Sequence, residues 1–66
     1  MLRVFECKKC HKRSAALKEN VVNHYLKDHS RNCLIYLAKD SGIPNPFFET
    51  KEDLAKLLAE NSVIAN

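Results

Sequence analysis

Hydrophobic positions along the chain change period several times. Leu2, Val4 and Phe5 open it as a short β-compatible stretch, and Cys7-Lys8-Lys9-Cys10 follows as a tight turn before His11 to Arg13. This pattern predicts a small hairpin with a knuckle. Ser14 offers a helix N-cap, and residues 15–29 contain neither Gly nor Pro and carry apolar side chains at helical spacing. Leu17, Val21 and His24 share one face; Val22, Leu26 and His29 form an adjacent stripe, with Tyr25 between the two. So wide an apolar arc predicts a second packing partner for this helix.

The C-terminal half supplies candidates for that partner. Leu34, Ile35, Leu37 and Ala38 predict a further helix that ends near Ser41-Gly42, a C-cap pair. Ile43-Pro44-Asn45-Pro46-Phe47-Phe48 cannot continue it, because the two prolines fix φ and remove donors, and Phe47 and Phe48 are expected to tuck under the fold as loop anchors. Thr50 followed by Asp53 resembles a capping box with Asp in place of Glu, and Glu52 also suits a helix N-terminus. Leu54, Leu57 and Leu58 give the stripe of that last helix, with Val63 and Ile64 packing after Asn61 ends it. The expected organisation is one domain over 1–66: residues 1–31 form the cysteine- and histidine-bearing unit, and 32–66 a helical extension with a Pro-containing loop at 42–48.

Composition sharpens this picture. At 66 residues with 45% hydrophobic content, the chain is too short for a multi-domain enzyme and too apolar for wholesale disorder. A core of this size seldom supplies more than about 3–5 kcal/mol, so a disulfide, a metal or a partner is expected to reinforce it. Three cysteines leave one unpaired in any internal disulfide scheme, which favours a reducing compartment. No run approaches the roughly 20 apolar residues of a bilayer span, and Met1-Leu2-Arg3-Val4-Phe5-Glu6 has no signal-like apolar region. The expectation is a soluble intracellular protein, nuclear in a eukaryotic host, with no membrane role.

Charge is unevenly placed. Residues 1–31 hold eight Lys and Arg against three Asp and Glu, whereas residues 32–66 hold three against five. A basic half of this density suits a polyanion such as nucleic acid, although a solvated lysine-rich face has the same composition.

The chemistry-bearing residues lie in the basic half. Cys7 and Cys10 are separated by two residues, His24 and His29 by four, and the pairs by thirteen. A two-residue gap lets both thiolates turn to one point, and histidines about a helical turn apart present nitrogens from one face. The reading is one structural zinc ion held by Cys7, Cys10, His24 and His29, saturated and without an open position for substrate. A second set, Cys7, Cys10, His29 and Cys33, competes with it, because Cys33 lies four residues after His29. With His24 as ligand, Cys33 is a buried small hydrophobe and His11 a surface or supporting residue. Because zinc contributes about 10–16 kcal/mol in finger peptides, chelation is expected to melt at least residues 5–29.

Over residues 5–29 the chain resembles the two-cysteine, two-histidine zinc finger of transcription factors. Phe5 stands two residues before the first cysteine, where that family places an aromatic, and Val21 stands three before the first histidine, where it prefers Leu. The gap between the pairs is one residue longer than usual, and Ser14 or Ala15 takes the place of the mid-finger aromatic. The resemblance implies a zinc-stabilised β-hairpin plus helix (ββα), and the residue pattern beyond it extends this into a small α+β fold with one or two C-terminal helices packed on the finger. Leu17, with Phe47, Phe48 or Leu57, is expected to supply the missing volume.

The resemblance further implies a helix that enters the DNA major groove. The base-facing places then fall on Leu17, Asn20 and Asn23, with Glu19 accessory and Lys18 able to meet guanine or phosphate. Lys8, Lys9, Lys12, Arg13, Lys27 and Arg31 are phosphate-contact candidates, since such contacts need charge and not register. The leading expectation is a zinc-binding, double-stranded-DNA-binding transcriptional regulator, with a homodimer as one way to double the site. The alternative is a protein–protein interaction finger of adaptor or ubiquitin-binding type, whose sign would be an open apolar patch at Tyr25, Leu26 or Val22. No nucleophile–base arrangement is visible outside the metal quartet, so no enzymatic activity is expected.

Overall fold

The computed structural model describes residues 2–65, which form three strands and three α-helices. Strand β1 (Arg3–Glu6) and β2 (Arg13–Ala16) make the expected hairpin, with Phe5 opposite Ser14 in antiparallel register. Helix α1 spans Lys18–Asp28, α2 Arg31–Asp40 and α3 Lys51–Glu60, with a 3-10 turn at Pro46–Phe48. Strand β3 (Val63–Ala65) returns to the free edge of β1, giving a three-stranded antiparallel sheet of order β2-β1-β3. The hairpin and α1 have the arrangement of a ββα finger, and α2 and α3 are the additional helices. No helix among the described residues is long and apolar enough to cross a membrane.

Local sequence explains most boundaries. The Ser30 hydroxyl accepts from the Cys33 N–H at 3.2 Å and starts α2, and the Thr50 hydroxyl accepts from the Asp53 N–H at 3.1 Å and starts α3. Helix α2 stops because Gly42 takes φ +79°, which lets the Ile43 N–H reach back to the Ala38 carbonyl at 3.0 Å. Ser14 departs from expectation. It lies in β2 facing Phe5, and α1 begins only after Leu17, whose side chain provides no cap. Once β1 is present, pairing with it satisfies the backbone of residues 13–16, and that outweighs a single capping hydrogen bond.

The core draws on both halves of the chain: Phe5, Val21, Val22 and Tyr25 meet Leu34, Ile35, Leu37, Leu54 and Leu58 in one cluster. Helix α3 packs along α1 and against α2, so it is the second partner that the wide apolar arc of α1 demanded. The proposed fillers of the finger core are corrected here. Leu17 is 39% exposed, Leu57 is only half-buried, and Phe47 and Phe48 are 59% and 87% exposed. Pro46 is the buried anchor of that loop instead. Val63 and Ile64 belong to β3 and extend the sheet, which sequence reading missed because a three-residue edge strand has too few positions to show alternation.

Candidate metal centre

The knuckle is built from backbone hydrogen bonds. The Cys7 N–H donates to the Lys12 carbonyl at 3.0 Å and the His11 N–H to the Cys7 carbonyl at 2.8 Å, while His11 adopts a left-handed φ of 62° to close the turn. That turn brings the Cys10 N–H within 3.3 Å of the Cys7 sulfur. The histidines come from the far end of the site: His24 sits in the last turns of α1, and His29 is its C-cap with extended backbone.

Cys7, Cys10, His24 and His29 offer four ligand atoms that all lie within 4.8 Å of one another. The Cys7 Sγ is 3.2 Å from His24 Nε2 and 3.4 Å from His29 Nε2; the Cys10 Sγ is 3.8 Å and 3.6 Å from the same atoms. A tetrahedron with metal–sulfur bonds of about 2.3 Å and metal–nitrogen bonds of about 2.0–2.1 Å has sulfur–nitrogen edges of about 3.5 Å. The constellation fits one tetrahedral ion. The competing set is not the one gathered, since the Cys33 Sγ lies 3.9 Å from His29 Nδ1, the ring nitrogen opposite the one facing the site. Cys33, expected as a buried small hydrophobe, is half-buried and packs against the core.

Electrostatics favour a thiolate at one vertex. Burial pushes the Cys7 thiol up, yet the Cys10 and Lys9 backbone N–H groups with the His24 and His29 rings outweigh it and bring the thiol down from 9.0 to about 6. Burial and the adjacent Cys7 sulfur hold the Cys10 thiol above its ordinary value. His24 Nδ1 is 2.8 Å from Asp28 Oδ2, which fixes the ring with Nε2 turned inward. Cys7 is buried, both histidines are half-buried and Cys10 is exposed, so one vertex faces solvent.

No family model, curated protein or solved structure matches the chain. The likeness to a finger therefore rests on these four residues and on the hairpin–helix arrangement that carries them.

The residues singled out for DNA contact fall into two groups. Lys9, Lys12, Asn20, Asn23 and Lys27 are exposed and Lys8 is half-buried. Three others are engaged within the molecule: Arg13 with Glu6 at 2.6 Å, Lys18 with Glu60 at 2.6 Å, and the Arg31 guanidinium with the Phe47 and Glu49 carbonyls at 3.1 and 3.3 Å. The interaction patch expected of an adaptor finger is covered, because Tyr25 is 0% exposed, Val22 is buried and Leu26 is half-buried.

Sequence reasoning missed a buried polar chain beside the site. The Lys8 N–H donates to the Tyr25 hydroxyl at 3.0 Å, that hydroxyl donates to the Ser62 Oγ at 2.7 Å, and Ser62 donates to the Leu58 carbonyl at 2.6 Å. It ties the knuckle, α1 and the end of α3 together, and burial pushes the Tyr25 hydroxyl above its ordinary range. Also unforeseen is a cleft of about 290 Å³ between β2 and α1, lined by Phe5, Ser14, Ala16 and Val21 with Lys12, Arg13 and Asn20, which reaches Cys7 and His24 of the candidate metal site.

Proposed function

We propose that the chain is a zinc-binding, DNA-binding protein that acts as a transcriptional regulator and has no enzymatic activity. The observation that carries this reading is the gathering of Cys7, Cys10, His24 and His29 at tetrahedral spacing between the knuckle and a helix whose polar face, with Asn20 and Asn23, stays exposed while α3 covers its apolar face. Two thiolates and two imidazoles suit zinc above harder ions, and four protein ligands leave no vertex for a reacting water. Free thiols at such a site call for a reducing compartment.

On this reading the exposed lysines Lys9, Lys12 and Lys27, with Lys8, supply phosphate contacts, and the exposed side chains of Asn20 and Asn23 supply hydrogen bonds to adenine edges. The adaptor reading has less support, since its expected patch lies under α3. Titration of the zinc-loaded chain with a mixed-sequence duplex tests the proposal. For about four phosphate contacts, log affinity falls against log salt with a slope of about −3.6. Undetectable binding at low salt, or amide shifts confined to residues 32–66, removes it.

A further inference from the structure

We propose that Cys10 is a modification site: its sulfur reacts with a hydroperoxide, and Cys7 then closes on it as a disulfide that empties the metal site. The inference rests on the reading of Cys7, Cys10, His24 and His29 as a zinc site and adds the regulation of that site. The two cysteines have the same side chain but different surroundings. Cys7 is 6% exposed, whereas Cys10 lies at the surface. A small electrophile arriving from solvent therefore meets the Cys10 sulfur first.

Backbone donors widen the difference. The Cys7 Sγ accepts the Cys10 N–H at 3.3 Å and also the Lys9 N–H. The Cys10 Sγ meets the His24 and His29 rings, and no backbone N–H among the described residues turns to it. Hydrogen bonds to a thiolate lower its basicity, and nucleophilicity falls with basicity, so Cys10 keeps the more reactive lone pair. The third cysteine is poorly placed to compete. The Cys33 Sγ is half-buried and 3.9 Å from His29 Nδ1, and the His29 ring, whose Nε2 faces the two ligand sulfurs, stands between them and Cys33.

The resolving partner is already beside the site of attack. The Cys10 thiolate attacks one oxygen of hydrogen peroxide, the O–O bond breaks, and hydroxide leaves with the bonding pair, giving a sulfenic acid. The Cys7 sulfur is one of four ligand atoms that lie within 4.8 Å of one another; as thiolate it attacks the oxidised sulfur and expels a second hydroxide. Two thiolates have given up two electrons, and the peroxide has taken them. The site then keeps only its two imidazoles, too few to retain the ion, and the knuckle loses its hold on α1. A dithiol reductant returns both sulfurs to the thiolate form by exchange.

Limiting maleimide on the zinc-loaded Cys33→Ser chain identifies the reactive vertex, because trypsin cuts after Lys8 and Lys9 and separates Cys7 from Cys10. The expected label favours Cys10 by about tenfold or more, against near parity once zinc is chelated and the chain denatured. Hydrogen peroxide on the zinc-loaded wild-type chain is expected to yield a Cys7–Cys10 disulfide, with zinc released in step and Cys33 still free to alkylate; dithiothreitol with added zinc restores the site. Equal labelling of Cys7 and Cys10 in the loaded chain, a peroxide product that contains Cys33, or zinc release that Cys33→Ser abolishes overturns the inference. Those results leave the zinc reading standing, whereas a chain that gives no tetrahedral d–d spectrum with Co²⁺ removes both.

Discussion

Asp28 is the residue whose contribution to the metal centre is easiest to isolate. Its carboxylate is exposed and 2.8 Å from His24 Nδ1, so its removal leaves the core untouched while freeing the ring to rotate or change tautomer. Asp28→Ala is expected to lower zinc affinity about 10- to 100-fold with little change in the far-ultraviolet spectrum of the loaded chain, read by competition with a chromophoric chelator. An unchanged affinity would contradict the positioning role. Tyr25 acts differently, through burial. Tyr25→Phe keeps the ring but leaves the Lys8 N–H without its acceptor and takes the donor from the Ser62 Oγ, which keeps only its bond to the Leu58 carbonyl. A loss of about 1–3 kcal/mol in stability is expected from thermal or denaturant melts. The four ligands were legible from spacing alone, because a knuckle and a helical turn are local geometries. The Tyr25–Ser62 bond was not, since its partners are 37 residues apart and nothing in the local pattern around Ser62 distinguishes it from a loop serine.

Elements whose ends carry their own signals were legible; those determined by a distant strand were not. Gly42 and Thr50 announced the end of α2 and the start of α3, whereas the Ser30 cap of α2 went unread and the start of α1 was obscured because residues 13–16 become a strand only when β1 lies beside them. The consequence for α1 is that its N-terminal turn lacks a side-chain cap and is instead tied to the end of α3 through Lys18 and Glu60. The Glu60 carboxyl is held below its ordinary value by Lys18, so the pair is complete above the usual carboxylate range and is lost as pH falls through the lowered value. Being exposed, it adds little stability. Its effect belongs to the proposed DNA-binding function, under which Glu60 competes with phosphate for Lys18. Glu60→Ala is expected to tighten duplex binding at neutral pH and to steepen the salt slope by about 0.9, the increment for one further phosphate contact. The melting temperature should hardly move, and a variant that binds more weakly would place α3 on the duplex rather than beside it.

At the scale of the whole molecule, the two halves are stitched together beyond the candidate metal site. Strand β3 returns to pair with β1, the Glu6 N–H donates to the Ser62 carbonyl at 2.9 Å, and the buried cluster runs continuously from Phe5 and Cys7 to Leu54 and Leu58. This coupling enlarges the expectation that chelation melts residues 5–29. A core of this size contributes about 3–5 kcal/mol, whereas zinc in comparable sites contributes about 10–16 kcal/mol. Once the ion leaves, the thiolate and imidazole vertices no longer hold the knuckle to α1; β1 then loses its fixed end, and β3 loses the strand on which it pairs. Helices α2 and α3 are each ten residues long, too short to persist in water without the tertiary packing that α1 provides. Chelation is therefore expected to collapse the amide signals of Leu34, Leu54 and Leu58 together with those of Cys7 and His24, in one transition that re-added zinc reverses. If residues 31–60 kept dispersed signals and helical ellipticity while residues 5–29 melted, the C-terminal helices would be a separately stable unit and the continuous core would be less cooperative than its packing implies.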